Sequence, residues 1–319
     1  MSKLIVNSAD SSTVFQQELE ELINNHRQDA NLGKVATYIP ELAKSNPKHL
    51  GVSIRLLSGE IVEAGDVRVP FTMQSISKVL TLALALMDHG EEYVFKRVGM
   101  EPTGDPFNSI VKLETIHPNK PLNPMINAGA IAVSSMIRGN KVEKKLERVL
   151  TFIRKLSKNS EISYNEKVAE SESKTSDLNR ALAYFMREHE VFEGDIEEIL
   201  EFYFKHCAIE VHCLDLANIG AVFANNGQDV ETGETLIPPK IARICKTFMV
   251  TCGMYNASGE FAIQAGFPAK SGVSGGILGT VPTKMGIGVL GPSLDDKGNS
   301  VAGVKLLESM SDRWNLSIF

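Results

Sequence analysis

The sequence predicts an α/β (α+β) protein in which an antiparallel sheet is built from both ends of the chain and a large helical lobe is inserted between them. Strand-like runs lie near both ends, and a long, mostly helical stretch separates them. Because strands need partners, we expect the two ends to meet in one sheet. We therefore predict one unit over residues 1–319, with a sheet lobe of about residues 1–73 and 251–319 and a helical lobe of about residues 74–250.

The amino-terminal part combines a helical pattern with a hairpin pattern. Residues 14–23 carry apolar side chains at helical spacing. Residues 50–57 and 60–66 are strand-like runs on either side of Ser58-Gly59, a dipeptide that is typical of turns. We expect the two runs to pair as antiparallel strands.

The middle of the chain is predicted to be helical, and the last part returns to strands. The clearest helical patterns cover residues 142–157, 176–189, 196–207 and 214–225. Strands are predicted at residues 267–273, 276–281 and 285–290, with a final helix at about residues 300–314. Residues 159–175 are polar and charged, and we interpret them as a long surface loop.

Composition and charge exclude several kinds of partner. The net charge is −6 and no basic stripe could neutralise a phosphate backbone, so nucleic acid is not expected. No uninterrupted apolar run reaches the about 18 residues that span a membrane, and the first ten residues lack the apolar core of a signal peptide. We expect a cytoplasmic protein with a small-molecule or protein partner.

The cysteines are interpreted as free thiols in the core. The chain has four, none of them in a Cys-x-x-Cys pair: Cys207, Cys213, Cys245 and Cys252. The pairs His206-Cys207 and His212-Cys213 suggest metal binding, but a six-residue spacing does not place ligands on one helix face. No metal site is predicted.

The strongest chemical signal is an S-x-x-K spacing. Ser75 and Lys78 stand immediately before the apolar run of residues 80–87. Residues i and i+3 share a helix face, so the lysine amine could reach the serine oxygen. A helix that is apolar nearly all round is normally buried, and burial lowers the pKa of a lysine until the neutral amine can act as a base.

The alternative is an ordinary helix start. Ser75 would then cap the helix and Lys78 would point to water, and an isolated S-x-x-K favours this interpretation. Other elements of the sequence decide between the two.

A second element pairs a lysine with a small hydroxyl residue and a glycine. Lys270-Ser271-Gly272 resembles the K-T-G element that accompanies S-x-x-K in penicillin-recognising enzymes. On such a strand the backbone N–H of Val273 could face Ser75 and, together with the N–H of Ser75, form an oxyanion hole. Taken alone, the segment favours interpretation as a glycine-rich turn between edge strands.

A third element is the tyrosine of residues 252–259. Tyr255 stands where the same enzymes carry S-D-N or an equivalent tyrosine. We expect a phenol held between Lys78 and Lys270 to be shifted toward phenolate and to relay a proton. The alternative is a half-buried aromatic residue near a turn.

Together these motifs resemble the glutaminase family, whose members have a β-lactamase-like fold. The resemblance covers residues 38 to the final helix and rests on five ordered motifs: Gln74–Lys78, Asn123–Ile131, Phe202–Phe204, Cys252–Tyr255 and Ala269–Val273. It implies an amidohydrolase that converts L-glutamine to L-glutamate and ammonia, without metal or organic cofactor, in a homodimer or homotetramer. Residues 1–319 would then form a single catalytic unit.

The resemblance also implies roles for individual residues. Ser75 is the nucleophile and Lys78 its base, with Tyr255 assisting proton transfer beside Lys270, and the Val273 N–H contributing to the oxyanion hole. The implied glutamine contacts are Tyr38, Gln74, Asn127, Glu172, Asn179, Tyr203, Tyr255 and Val273. A carboxylate suits the substrate ammonium, and amide or hydroxyl donors suit its carboxylate.

The sequence leaves open the identity of one acidic residue and two other functions. Glu172 is preferred to Glu170 because its seven-residue separation from Asn179 matches the family spacing. A penicillin-recognising hydrolase of the same fold is the first rival function, although a cytoplasmic protein does not meet a cell-wall substrate. The second is a glutamine-binding protein without catalysis, against which the complete set of Ser75, Lys78, Tyr255 and Lys270 argues.

Overall fold

The computed structural model describes residues 9–319. Predictions that involve the first eight residues, including the lack of a signal peptide, lie outside the described part. The protein is a mixed α/β structure with an antiparallel sheet and many helices, as predicted. The strands are β1 Gly51–Leu56, β2 Ile61–Gly65, β3 Phe71–Thr72, β4 Glu210–Val211, β5 Ala269–Ser271, β6 Gly276–Val281 and β7 Met285–Leu290.

The helices occupy most of the chain between β3 and β5 and also flank the sheet. They are α1 Ala9–His26, α2 Ser77–Arg97, α3 Val111–Thr115, α4 Asn127–Met136, α5 Val142–Ser157, α6 Glu166–Lys174, α7 Asp177–Glu188, α8 Ile196–Cys207, α9 Cys213–Ala224, α10 Pro239–Cys252, α11 Ser258–Gln264 and α12 Val301–Trp314. Short 3₁₀ turns at Gln74–Ile76 and Tyr255–Ala257 carry residues of the site described below.

The main sheet joins strands from both ends of the chain. Its order is β2-β1-β7-β6-β5, and every neighbouring pair is antiparallel. The predicted hairpin is confirmed, because β1 pairs with β2 from Gly51 opposite Gly65 to Arg55 opposite Ile61. The two ends meet where β1 pairs with β7, with Ile54 opposite Ile287.

The two faces of β7 pack against different helices. Ile287 and Val289 belong to a core shared with α1 and α12, where the rings of Phe15 and Trp314 lie 4.3 Å apart. Side chains alternate along a strand, so the intervening residues face the opposite layer. There the sheet meets α9, a helix that is buried along nearly its whole length.

Glycines in β7 allow α9 to lie directly on the backbone of the sheet. A Cβ atom on Gly286 would come within 2.0 Å of the Ala221 nitrogen and 2.1 Å of the Ala217 oxygen. A Cβ atom on Gly288 would come within 2.0 Å of the Cys213 oxygen. The glycines are therefore required for the close approach of helix and strand.

Residues 159–175 are not a surface loop, contrary to the sequence-based prediction. They contain α6, which begins where the Asn165 side chain accepts a hydrogen bond from the Val168 N–H at 3.1 Å. Val168, Ala169 and Glu172 are buried. Three buried positions in a nine-residue helix, one of them charged, give too weak an apolar pattern to predict a helix.

The strand predicted at residues 267–273 is shorter than expected, and one sheet was not anticipated. β5 ends at Ser271, and a tight turn follows in which the Gly272 N–H donates to the Gly276 oxygen at 2.9 Å. β3 and β4 form a separate two-stranded sheet. Two-residue strands carry no alternation that a sequence pattern could reveal.

None of the helices within residues 9–319 combines the length and the apolar character that a membrane span requires.

Replacing Gly286 by alanine should destabilise the protein, because the added methyl group meets backbone atoms that cannot rotate away. We expect the free energy of unfolding to fall by roughly 1–3 kcal/mol, the usual range for overpacking. Gly259→Ala is the matched control, since a Cβ atom there meets nothing within 4 Å. Gly259 lies in α11, so alanine should be neutral or stabilise by about 0.5–1 kcal/mol. Urea denaturation measures both, and a Gly286→Ala protein as stable as the wild type would contradict the close approach.

Candidate active site

The turn between β3 and α2 presents Ser75 at the edge of the buried core. Gln74 has a φ of +48°, which is uncommon for a residue with a side chain. The Ser77 hydroxyl donates to the Gln74 oxygen at 2.8 Å and so closes the turn. Ser75 itself is only 7% exposed. It does not cap the helix, because α2 begins after Ile76 without a side-chain cap. The interpretation of an ordinary helix start is therefore wrong.

Lys78 is buried in the first turn of α2 and does not point to water. Its amine donates to Asn127 Oδ1 at 2.7 Å and to the Met125 oxygen at 3.3 Å. Burial lowers the pKa of Lys78 to about 8, against the smaller opposing effects of Cys207 and Glu172. No hydrogen bond joins Lys78 to Ser75 within residues 9–319, so the expected contact between them is not formed in this arrangement.

A second lysine is buried on β5. The Lys270 amine donates to the Ser271 oxygen at 2.6 Å and to the Gly253 oxygen at 3.1 Å. It also lies 4.5 Å from the centre of the Tyr255 ring, over its face. Burial, followed by the positive charge of Lys78, holds the pKa of Lys270 well below its ordinary value. The site thus contains two lysines for which the neutral form is accessible.

Tyr255 lies between the serine and the lysine of β5, but it is not a phenolate. It has a φ of +52° in the 3₁₀ turn that precedes α11. Burial raises the pKa of its hydroxyl, and Ser75 has a smaller opposing effect. The prediction of a phenolate is wrong because Lys270 contacts the ring face, while desolvation of the oxygen is the larger effect. In the described structure the hydroxyl is buried without a partner at hydrogen-bonding geometry.

Seven of the eight predicted substrate contacts line one pocket together with Ser75, whereas Tyr255 lines a neighbouring cavity that shares Phe107 with it. The lining residues are Tyr38, Gln74, Ser75, Phe107, Asn108, Asn127, Glu172, Thr175, Ser176, Leu178, Asn179, Tyr203, Cys207 and Val273. Two of these side chains are linked, since Asn127 Nδ2 donates to Asn179 Oδ1 at 3.0 Å. Tyr203 is almost fully buried, whereas Tyr38 stands at the rim with 54% of its surface exposed. Lys78 does not itself line the pocket, but it donates a hydrogen bond to Asn127, which does.

Glu172 supplies a buried carboxyl group in this pocket. Burial raises its pKa to about 7, while Lys78 and the Gln74 side chain lower it. Its Oε2 atom is buried and has no hydrogen-bond partner among the described residues. Glu170, the other acid considered, lies on the surface and pairs with Lys174 at 3.5 Å. The geometry therefore favours Glu172 as the acidic residue of the pocket.

Val273 lines the pocket from the turn after β5 rather than from the strand. Its N–H has no backbone acceptor within the described part of the chain. The turn approaches the serine segment closely, since a Cβ atom on Gly272 would lie 2.5 Å from the Met73 oxygen. Val273 and Ser75 thus line the same pocket, Val273 from a turn and not from the predicted strand, and its part in an oxyanion hole stays a prediction.

Phe107 is a wall of the pocket that the sequence did not reveal. Its ring centre lies 4.8 Å from that of Tyr255, and its carbonyl accepts the Asn127 N–H at 2.9 Å. The only available signal was an aromatic residue in a loop rich in proline and glycine, where binding residues are often found.

The cysteines are free, and three of them are buried. Cys207, Cys213 and Cys245 lie in the core, and Cys252 is partly exposed. Among residues whose positions are described, no group of three His, Cys, Asp or Glu residues could hold a metal ion.

Comparison with known proteins identifies relatives of this chain that are described as glutaminases. A family model described as Glutaminase matches residues 33–319. The chain is 60% identical over 304 residues to a glutaminase of Geobacillus thermodenitrificans, covering 95% of this chain and 98% of that protein. It is 59% identical over 302 residues to glutaminase 2 of Bacillus subtilis, with the same two coverages.

Two solved structures that resemble this chain are also described as glutaminases. A crystal structure of a probable glutaminase from Bacillus subtilis is 42% identical, covers 95% of this chain and 97% of its own, and superposes with a TM-score of 0.90. A Bacillus subtilis glutaminase has been solved as a covalent complex with 5-oxo-L-norleucine, formed by reaction with 6-diazo-5-oxo-L-norleucine. It is 40% identical, covers 95% of this chain and 99% of its own, and has a TM-score of 0.86. The chain therefore belongs to the glutaminase family.

Proposed function

We propose that this protein is a glutaminase that hydrolyses L-glutamine to L-glutamate and ammonia through attack by Ser75 on the side-chain amide. The observation that carries the proposal is the placement of Ser75 and the buried Glu172 in one pocket, with Lys78 directly behind. The family membership and the reaction of a related glutaminase with a glutamine analogue support the same substrate.

The amino-acid end of glutamine requires both an anion and several donors. Glu172 faces the pocket with an unpartnered oxygen, which suits the substrate ammonium. The amides of Asn127 and Asn179 and the hydroxyl of Tyr203, which line the same pocket, would donate to the α-carboxylate. Tyr38 and Gln74 would close the pocket around the aliphatic part and the amide. Selectivity for a free amino acid would then follow from recognition of both its ammonium and its carboxylate.

Attack on the amide requires a base and an oxyanion site. Neutral Lys78 takes the Ser75 proton, directly or through the neutral phenol of Tyr255, as the serine oxygen forms its bond to the amide carbon. The N–H groups of Ser75 and Val273 stabilise the oxyanion. Return of that proton to the amide nitrogen releases ammonia and leaves a γ-glutamyl ester on Ser75.

The second half-reaction runs through the same groups. A water molecule gives its proton to the base and attacks the ester, and the protonated base returns a proton to the Ser75 oxygen as glutamate leaves. Lys270 would contribute to the site through Tyr255, because its amine, whether protonated or neutral, packs against the ring of that residue. No step requires a metal or an organic cofactor.

The wider architecture supports a β-lactamase-like fold acting as a single catalytic unit. The site lies between strand β5 and helix α2, so it draws on the proposed sheet lobe and the proposed helical lobe together. A homodimer or homotetramer and a cytoplasmic location stay predictions from the sequence.

Ser75→Ala should lower the rate of ammonia release from L-glutamine on the order of 10⁴-fold or more, as expected for loss of a nucleophile. Lys78→Ala should have a comparable effect, because the variant lacks the amine that is proposed to take the serine proton. Ammonia release is measured from L-glutamine, L-asparagine and D-glutamine, with circular dichroism to verify the fold. A Ser75→Ala protein with near-normal activity contradicts the assignment, as does turnover of a chromogenic β-lactam without turnover of glutamine.

Glu172→Gln should raise the KM for L-glutamine roughly tenfold to a hundredfold, the effect of removing one charged hydrogen bond. Glu170→Gln is the matched control, since Glu170 is exposed and bonded only to Lys174. Its KM should equal that of the wild type. If Glu170→Gln carries the larger effect, the acidic residue of the pocket has been assigned wrongly.

The dependence of activity on pH should show two separable transitions. Lys78 acts as a base only when neutral, so kcat should rise with pH and then level off. Because Lys78 has a pKa of about 8 in the free protein and a bound ammonium lowers it, the kcat transition should lie below pH 8. Glu172 binds the ammonium only when ionised, so KM should rise as the pH falls below about 7. The negative charge of Glu172 raises the pKa of Lys78, and Glu172→Gln should therefore move the kcat transition to lower pH and abolish the KM transition. Profiles of kcat and KM from well below pH 7 to above pH 8 test this, and an unmoved kcat transition would contradict it.

A further inference from the structure

His206 is a buried polar residue that the proposed mechanism does not use. It lies on α8, three residues after Tyr203 and directly before Cys207, both of which line the pocket. The imidazole is fully buried. Its Nδ1 lies 2.9 Å from Ser77 Oγ, and its Nε2 lies 3.0 Å from Ser134 Oγ. The ring therefore links α8 to both α2 and α4.

Both serines also contact a carbonyl of their own segment. Ser77 Oγ lies 2.8 Å from the Gln74 oxygen, and Ser134 Oγ lies 2.8 Å from the Ala130 oxygen. Each hydroxyl has one proton, and a neutral imidazole has one N–H and one lone pair. Burial and the positive charge of Lys78 lower the pKa of His206 to about 3, so the ring is neutral.

A neutral ring allows two proton arrangements. In the first, Ser134 donates to Nε2, the Nδ1–H donates to Ser77, and Ser77 donates to the Gln74 oxygen. In the second, Ser77 donates to Nδ1, the Nε2–H donates to Ser134, and Ser134 donates to the Ala130 oxygen, so Ser77 no longer donates to the Gln74 oxygen. Ala130 lies within α4, whose carbonyls accept regular helical bonds. Gln74 lies in a 3₁₀ turn, where backbone hydrogen bonds have poorer geometry. A hydrogen bond from the Ser77 hydroxyl to the Gln74 oxygen therefore stabilises the structure more than one from Ser134 to the Ala130 oxygen.

We propose that His206 is a positioning residue that holds the turn of Gln74 and Ser75 in its reactive conformation through the hydroxyl of Ser77. The positive φ of Gln74 is unfavourable and persists only where surrounding contacts impose it. The chain from His206 through Ser77 to the Gln74 carbonyl is such a contact. It fixes the direction of the following peptide, and with it the N–H and the hydroxyl of Ser75. This inference rests on the proposed function.

The test is a double-mutant cycle on His206 and Ser77. His206→Leu and Ser77→Ala should each lower kcat roughly 10- to 100-fold, the effect of a small misplacement of reacting groups, with a smaller change in KM. The double variant should be no slower than either single variant, because both remove the same link. His206→Asn, whose amide can replace the Nδ1–H, should recover most of the lost activity. Ser157→Ala, another buried serine bonded to its own helix, should behave as the wild type.

Two further measurements separate positioning from a packing role. Covalent labelling of the protein by 6-diazo-5-oxo-L-norleucine, followed by mass spectrometry, should slow in parallel with kcat. Ring nitrogen resonances of ¹⁵N-histidine-labelled protein, assigned by their loss in His206→Leu, should show the Nδ1–H tautomer. A lowered melting temperature with normal kcat, additive effects in the cycle, or the Nε2–H tautomer would overturn the inference. A wild-type protein that releases no ammonia would instead contradict the proposed function, so the two failures are distinguishable.

Discussion

Burial of the Lys78 amine is the constraint on which the arrangement of the site depends. A buried ammonium is costly unless it is hydrogen-bonded, and here Asn127 Oδ1 and the Met125 oxygen accept its protons. The first turn of α2 and the start of α4 must therefore lie side by side. Desolvation lowers the pKa of Lys78, so the packing that buries the amine is what makes its neutral form accessible near neutral pH.

The sheet contributes the opposite side of the site. Its last strand, β5, carries Lys270 beneath Tyr255, and the turn that follows brings Val273 to the pocket. The closeness of this turn to the serine segment requires Gly272, because a side chain there would collide with the Met73 oxygen. Glycines in β7 similarly allow α9 to lie on the sheet. Close approach between backbone segments is thus required both where α9 packs on the sheet and where the turn after β5 meets the serine segment.

The sequence predicted those parts of the protein whose local residue pattern indicates their secondary structure. The hairpin around Ser58-Gly59 and the buried helix after Lys78 follow from periodicity and composition. Glu172 required the family resemblance, because its short helix has almost no apolar pattern. The protonated state of Tyr255 was predicted wrongly, because sequence does not show whether Lys270 meets the oxygen or the ring face. Phe107 comes from a loop whose path is set by tertiary contacts.

The coupling between Glu172 and Lys78 gives the proposed mechanism an order of events. In the empty pocket the charge of Glu172 raises the pKa of Lys78, and that of Lys78 lowers the pKa of Glu172. A bound substrate ammonium would pair with Glu172 and add a second positive charge near Lys78. Both changes disfavour the protonated lysine. Substrate binding would therefore increase the fraction of neutral Lys78 that the chemistry needs, whereas below pH 8 the lysine of an empty site would be mostly protonated and Ser75 less reactive.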